Sequence, residues 1–305
     1  MRQMDMLFPA TLAEAAAALG KRGAIPLAGA TDIIPAIRQG NIAPTTLVNL
    51  KSIPDLAGVR RVRGGIRIGA VTKIGDLLLD NFILTELPLM AEVARGFGSV
   101  QMRNLATIGG NICNAAPSAD MALPLLVLDA RLAVYSKDRT REIDIADFFL
   151  GMGKTAIRRG EILASITIPK PRGRTGAAHA KLGIRQAMDL AFVAVAGALQ
   201  LSPDGRKCRS ARIALGAVAP TPMRARKAEA ILEGQPITDD LIAKAAAAAA
   251  AESRPITDLR ASKEYRHEMV EVLTRRVLHE AVRRARLVLR SGAASLLRRV
   301  AKEDR

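Results

Sequence analysis

The sequence predicts an α+β protein in two parts, and three observations carry that expectation. Up to residue 169, short apolar runs of strand period interleave with runs of helical period. Residues 169–174, Pro-Lys-Pro-Arg-Gly-Arg, then concentrate proline, glycine and charge, the strongest break in the chain. Beyond the break, three strand patterns are followed by three helical ones, the order of an α+β domain with an antiparallel three-stranded sheet.

The elements follow in order. Residues 7–10 lead into a helix, where Thr11 and Glu14 form a capping box ahead of an alanine-rich run to Arg22, and Gly23 ends it. A short strand at 25–27 enters a loop of small residues at 28–32, then a helix over 33–39. Strand, small-residue loop and helix N-terminus is a geometry that favours phosphate, although the loop is neither a Rossmann fingerprint nor a P-loop. A strand at 46–50 precedes a hairpin of 59–62 and 66–71 around Gly64 and Gly65, in which Ile66, Ile68 and Ala70 mark one buried face. Helices are expected over 73–81 and 88–96. The stretch 101–120 has little side-chain bulk at its centre, where Thr107, Ile108, Gly109, Gly110 and Asn111 read as a polar loop fixed to the buried apolar run 121–128. A second hairpin, 132–136 with 141–145, turns at Lys137 and Asp138; Phe148 and Phe149 dock into the core; a strand spans 161–169. After the break come strands at 178–184, 191–201 and 208–215, then helices at 223–232, 239–252 and 262–290, with a basic tail at 291–305. Tyr265, Met269, Leu273 and Val277 give the last helix its apolar stripe.

Composition narrows the function. A 49% hydrophobic content supports a full core and argues against a disordered chain. The net charge of +17 admits an anionic partner or cofactor, yet aromatics are 3%, tryptophan is absent and no nucleic-acid motif accompanies the charge, so nucleic acid is not the expected ligand. Two cysteines, Cys113 and Cys208, provide neither a disulfide framework nor the ligands of an iron–sulfur cluster. No apolar run is long enough to span a bilayer and the N-terminus lacks a secretory pattern, which predicts a cytoplasmic protein. His179, His267 and His279 stand in no metal-ligand spacing, and no nucleophile motif is present. No catalytic side chain and no metal site are therefore expected. What remains is the pair of loops at 28–33 and 107–111, each able to present backbone donors to phosphate. Spacing alone leaves both equally readable as tight turns between buried strands.

Two segments lift that ambiguity: LAGATDIIPAI (27–37) and SVQMRNLATIGGNICNAAPSAD (99–120). They resemble the FAD-binding loops of the flavoprotein (medium) subunits of molybdenum hydroxylases, the family of the xanthine dehydrogenases and of the carbon monoxide dehydrogenase medium subunit. RIGAVTKIGDL (67–77), DFF (147–149), GEIL (160–163), APTPMRA (219–225) and PITDLRASKEYR (255–266) continue the resemblance in order, covering roughly residues 5–290. The resemblance implies an N-terminal FAD-binding domain of the PCMH type over 1–172, with subdomains of about 1–55 and 56–172. It implies a C-terminal domain over 176–290, like that of the carbon monoxide dehydrogenase flavoprotein. By the same resemblance Leu27, Ala28, Gly29, Ala30, Thr31, Asp32, Ile33 and Ile34, with Thr107, Ile108, Gly109, Gly110 and Asn111, would wrap the FAD pyrophosphate. Ser118 and Asp120 would contact the cofactor's polar chain, and Leu163 and Lys181 would lie on the flavin side. The implied role is electron transfer: from 2Fe–2S clusters of a small subunit, fed by a large molybdenum-cofactor subunit, through FAD to NAD⁺, a quinone or another acceptor. The implied assembly is a dimer of heterotrimers. A flavin-free scaffold in the same complex is the alternative, because Ala30 stands where the family has a second glycine. A basic nucleic-acid-binding protein is a more distant one.

Overall fold

The computed structural model describes residues 4–137, 139–185 and 187–287. Its first unit comprises β1 (Asp5–Leu7), α1 (Leu12–Leu19), β2 (Ala24–Leu27), α2 (Ile33–Arg38) and β3 (Thr46–Asn49), with the strands parallel in the order β1-β3-β2. The capping box forms: Thr11 Oγ1 accepts from Glu14 N at 3.2 Å, and Glu14 Oε2 accepts from Ala10 N at 2.9 Å. The helix stops at Gly20, earlier than Arg22, and Gly23 reverses the chain with φ 81°. Strand β1 carries no alternation in sequence, since Met6 and Leu7 are both exposed; its pairing with β3 is what makes it a strand.

The second unit runs through β4 (Val59–Val62), β5 (Gly65–Gly69), α3 (Ile74–Leu77), α4 (Asn81–Glu86), α5 (Pro88–Arg95), α6 (Val100–Leu105), α7 (Ile108–Cys113), α8 (Ala122–Val127), β6 (Arg131–Tyr135), β7 (Thr140–Asp144), β8 (Phe149–Gly151), β9 (Lys154–Thr155) and β10 (Ile162–Pro169). Five strands form an antiparallel sheet in the order β4-β5-β10-β6-β7. Ile66, Ile68, Leu132, Ile166 and Ile168 bury one face of it in a core shared with α5 and α8. The helix expected over 73–81 divides into α3 and α4, because the Asp80 carboxylate caps a new start, accepting from Ile83 N at 3.0 Å. The polar stretch 101–120, expected as a loop, holds the two short helices α6 and α7, and the apolar run after it is the buried helix α8.

The third unit contains β11 (Arg174–Leu182), β12 (Val193–Leu201), β13 (Cys208–Gly216), β14 (Met223–Arg224), α9 (Arg226–Leu232), α10 (Asp239–Glu252) and α11 (Lys263–Leu287). Its sheet is antiparallel in the order β11-β12-β13-β14, so the three expected strands gain a short fourth. Met223 and Arg224 pair with Leu215 and Ala214 in that strand, which is why the helix expected from 223 begins only at Arg226. Residues 170–173 alone link β10 to β11. The third unit is tied to the second by charge. Arg212 and Arg224 both reach Asp129, at 3.0 and 3.1 Å, while Arg284 donates to Glu92 Oε2 at 2.6 Å and to the Ala177 carbonyl at 2.7 Å. The expected end of the last helix at 290, the basic tail 291–305 and Asp138 in the second hairpin turn lie outside the described residues.

Candidate functional site

A cavity of about 360 Å³ opens between the first two units, a size typical of small-molecule clefts. Its walls come from the loop 28–33, the start of α7 and the segment that enters β10.

The loop leaves the parallel sheet at Leu27 and turns into α2. Its internal backbone bonds run from Ile34 N to Ala30 O and from Ala36 N to Asp32 O, both 3.1 Å. Among the described residues, the amides of residues 29–33 donate to no protein acceptor. Asp32, at the N-cap of α2, makes no side-chain cap bond. A run of unsatisfied donors at a helix start is a strong anion site, because amide dipoles and helix field act in one direction. Ala30 holds φ 66°, a left-handed conformation that costs an L-residue about 1 kcal/mol relative to glycine. Ala30→Gly is therefore expected to stabilise the chain by about 1 kcal/mol, read as a rise of a few degrees in melting temperature. A lower melting temperature would show that position 30 does not carry this strain.

The second loop works differently from the amide cradle expected of it. Its donors are already used inside the protein. Ile108 N reaches Thr72 O at 3.0 Å, Gly109 N reaches Ala70 O at 2.8 Å, and Gly110 N reaches Thr107 Oγ1 at 3.1 Å. Its glycines also serve close packing, and both line the cavity. A Cβ on Gly109 would stand 2.5 Å from Ala70 O, and one on Gly110 would stand 2.8 Å from Thr107 Oγ1. Gly29, in the first loop, is the same case: its Cβ would stand 2.4 Å from Leu105 O. Gly29 and Gly109 therefore let the loop 28–33, the α6–α7 junction and the end of β5 meet at backbone distance, while Gly110 leaves room for the Thr107 cap. What the second loop offers the cavity is the N-terminal end of α7 and the side chain of Asn111. The latter is held in place because its Oδ1 accepts from Met121 N at 3.1 Å.

The expected site residues divide into two sets. Residues 28–33, Thr107, residues 109–111 and Leu163 line the cavity. Leu27, Ile34, Ile108 and Ser118 do not, and Leu27 and Ile108 are core side chains. Asp120 and Lys181 also lie off the cavity wall, joined to each other across the second and third units with Lys181 Nζ 2.8 Å from Asp120 Oδ1. Burial pushes the Asp120 carboxyl above its ordinary value, and Lys181 opposes that shift. His179, two residues from Lys181 on the same face of β11, has a buried Nε2 without a hydrogen-bond partner; burial and the Lys181 charge push it down to about 4, so it is neutral.

Sequence reasoning missed one wall, formed by Thr155, Ile157, Glu161 and Ile162. Arg141 sets it: Arg141 donates to both Glu161 carboxylate oxygens, at 2.9 and 2.7 Å, and to the Ala156 carbonyl at 2.7 Å. The Arg141 hydrogen bond holds the Glu161 carboxyl below its usual range. No local pattern announces that bond, whose partners stand twenty residues apart. Cys113 also lines the cavity, where burial pushes its thiol up to about 12, so it presents a neutral sulfhydryl. Among the described residues no cluster of potential metal ligands occurs, and no helix is long and apolar enough to cross a membrane.

Comparison with known proteins bears on what this cavity holds. The family described as the FAD binding domain in molybdopterin dehydrogenase matches residues 2–171, and the CO dehydrogenase flavoprotein C-terminal domain matches residues 178–281. The carbon monoxide dehydrogenase medium chain of Afipia carboxidovorans is 36% identical over 280 residues, covering 91% of this chain and 96% of the relative. The xanthine dehydrogenase FAD-binding subunit of Escherichia coli O157:H7 is 34% identical over 258 residues, covering 84% and 88%. Among solved structures, a chain of carbon monoxide dehydrogenase from Hydrogenophaga pseudoflava superposes with a TM-score of 0.90 at 32% identity, covering 93% of this chain and 98% of that one. The donor-rich loop fits the pyrophosphate of FAD, since five free amides at a helix start match the charge and oxygen density of that group. With family descriptions matching residues 2–171 and 178–281 and relatives aligned over most of the chain, this chain belongs to the family of FAD-binding medium subunits of the xanthine and carbon monoxide dehydrogenases.

Proposed function

We propose that this chain is the electron-transfer flavoprotein subunit of a molybdenum-containing dehydrogenase. It would receive electrons from the 2Fe–2S clusters of a small partner subunit and deliver them to NAD⁺, a quinone or another acceptor. A large molybdenum-cofactor subunit would carry out the substrate chemistry, in a dimer of heterotrimers within the cytoplasm. The observation that carries the reading is the run of free amides over residues 29–33 at the lip of the cavity.

FAD, when bound, supplies the redox chemistry, including the change between two-electron and one-electron carriers. The chain's own residues bind and orient it. Amides of residues 29–33 donate to the pyrophosphate, with Thr31 beside them. The start of α7, packed against that loop, adds the side chain of Asn111 to the cavity wall. Leu163 and Ile162 give an apolar floor that excludes water, and the Arg141–Glu161 pair holds that floor in register. In this reading Ser118 and Asp120 belong to the cofactor's polar chain, and Leu163 and Lys181 to the flavin side. Lys181 there faces the flavin already half-neutralised by Asp120. The domain thus uses positioning and electrostatics, which accounts for the lack of a recognisable acid–base or nucleophile motif in the sequence.

The strain at Ala30 does not favour the flavin-free alternative. Its cost of about 1 kcal/mol is small against the roughly 12 kcal/mol of a nanomolar cofactor site. The purified chain is expected to show flavin absorbance with about one FAD per chain, or to gain it on titration with FAD. No flavin absorbance before or after titration would exclude the reading.

A further inference from the structure

The sheet register exposes an arrangement that the cofactor site does not explain. Arg60 on β4 stands directly opposite Arg67 on β5, Arg67 opposite Thr167 on β10, and Thr167 opposite Arg131 on β6. Directly opposed residues share one face, so three arginines lie in a row across four strands. This is the face away from Ile66 and Ile68, and Arg61, on the other side, is turned to Glu86 and the Phe82 ring. Further basic residues stand near the hairpin tip: exposed Arg63, Lys170, whose amide donates to Gly64 O, and exposed Arg172.

Like charges directly opposed cost a sheet several tenths of a kcal/mol. Arg131, at the far end of the row, has Asp144 and Glu142 within 3.9 Å, and on α11 Arg275 has Glu271 at 3.0 Å and Arg283 has Glu280 at 2.7 Å. Among the described residues, Arg60, Arg63, Arg67, Lys170 and Arg172 have no carboxylate partner. With strands about 4.8 Å apart, the row from Arg60 to Arg131 spans about 14 Å, too long for one phosphate or carboxylate. No aromatic residue stands in the row to stack a base.

We infer that this face, centred on Arg60 and Arg67, is a docking surface for an acidic face of a partner protein in the complex. A second copy of this chain would be repelled there by its own charge of +17. The inference rests on the proposed function for the existence of partner subunits.

The test compares the wild-type complex, co-expressed with its iron–sulfur and molybdenum subunits, with an Arg60→Glu/Arg67→Glu double variant and its Arg60→Gln/Arg67→Gln counterpart. Flavin content is measured on the chain itself and dissociation by mass photometry across a salt series. Both variants keep wild-type flavin content. The Glu pair dissociates at least about tenfold more readily at low salt, the Gln pair less so, and the difference closes as salt screens the surface. Complexes of unchanged affinity and salt dependence would overturn the docking surface while leaving the flavoprotein reading intact. A wild-type chain that carries flavin but never assembles would overturn both the assembly and this surface. Loss of duplex-DNA retention in the Glu variant, with subunit assembly unchanged, would reassign the face to nucleic acid.

Discussion

Gly29→Ala is expected to lower both flavin content and stability. The added Cβ would stand 2.4 Å from Leu105 O and 2.8 Å from Ala106 Cα. Both are backbone atoms, so no rotamer change relieves the contact. The loop 28–33 must lift away from the α6–α7 junction, and its free amides lose their common direction. Overpacking of this kind costs about 1–3 kcal/mol; with the backbone on both sides, the upper end applies. The expected result is a severalfold fall in FAD per chain and a melting temperature lower by several degrees. Ala30→Gly, one residue away, moves stability in the opposite direction, since it removes strain without adding an atom. The pair therefore separates steric contact from general sensitivity of the loop. A Gly29→Ala chain that melts and loads flavin like the wild type would show that the two loops are not packed at this point.

Lys181→Met is expected to destabilise the chain by about 3 kcal/mol near neutral pH. The Asp120 and Lys181 side chains are only 11% and 17% exposed, so removing the cation leaves a carboxylate with little water to solvate it. The loss depends on pH in a defined direction. Burial already pushes the Asp120 carboxyl up, and Lys181 is the group that opposes it. Without Lys181 the folded-state value rises further above the unfolded one. The folded chain then binds the proton more tightly, and stability falls as pH rises through the folded value. The deficit is therefore smallest in acid, where Asp120 is protonated in both states, and grows towards neutrality. Urea melts of variant and wild type at pH 5 and pH 8 measure it. A deficit equal at both pH values would show that the pair does not carry the interaction.

The capping box at Thr11 and Glu14, the alternation of Ile66, Ile68 and Ala70, and the break at 169–174 all lie within a few residues of sequence. Local chemistry decides such features, and the structure shows the same helix start and buried face, with the linker confined to residues 170–173. Strand β1 was not legible, because Met6 and Leu7 are exposed and only β3 pairs them. Helix α9 starts late for a similar reason: Met223 and Arg224 gain more from β13 than from a further helical turn. In both, a distant partner overrides local preference.

The candidate site divides along the same line. The residue pattern marks two small-residue stretches, 28–33 and 107–111, as the chain's unusual backbone, and the chain-long resemblance points to FAD. What each stretch offers a ligand depends on its long-range neighbours. The loop 28–33 keeps its amides free, whereas those of 108–110 are taken by Thr72, Ala70 and Thr107. The structure also set Lys181 against Asp120 and brought Arg141 to Glu161. A residue's type states which bonds its backbone can make; which of them remain open for a ligand depends on the acceptors that folding brings within 3 Å.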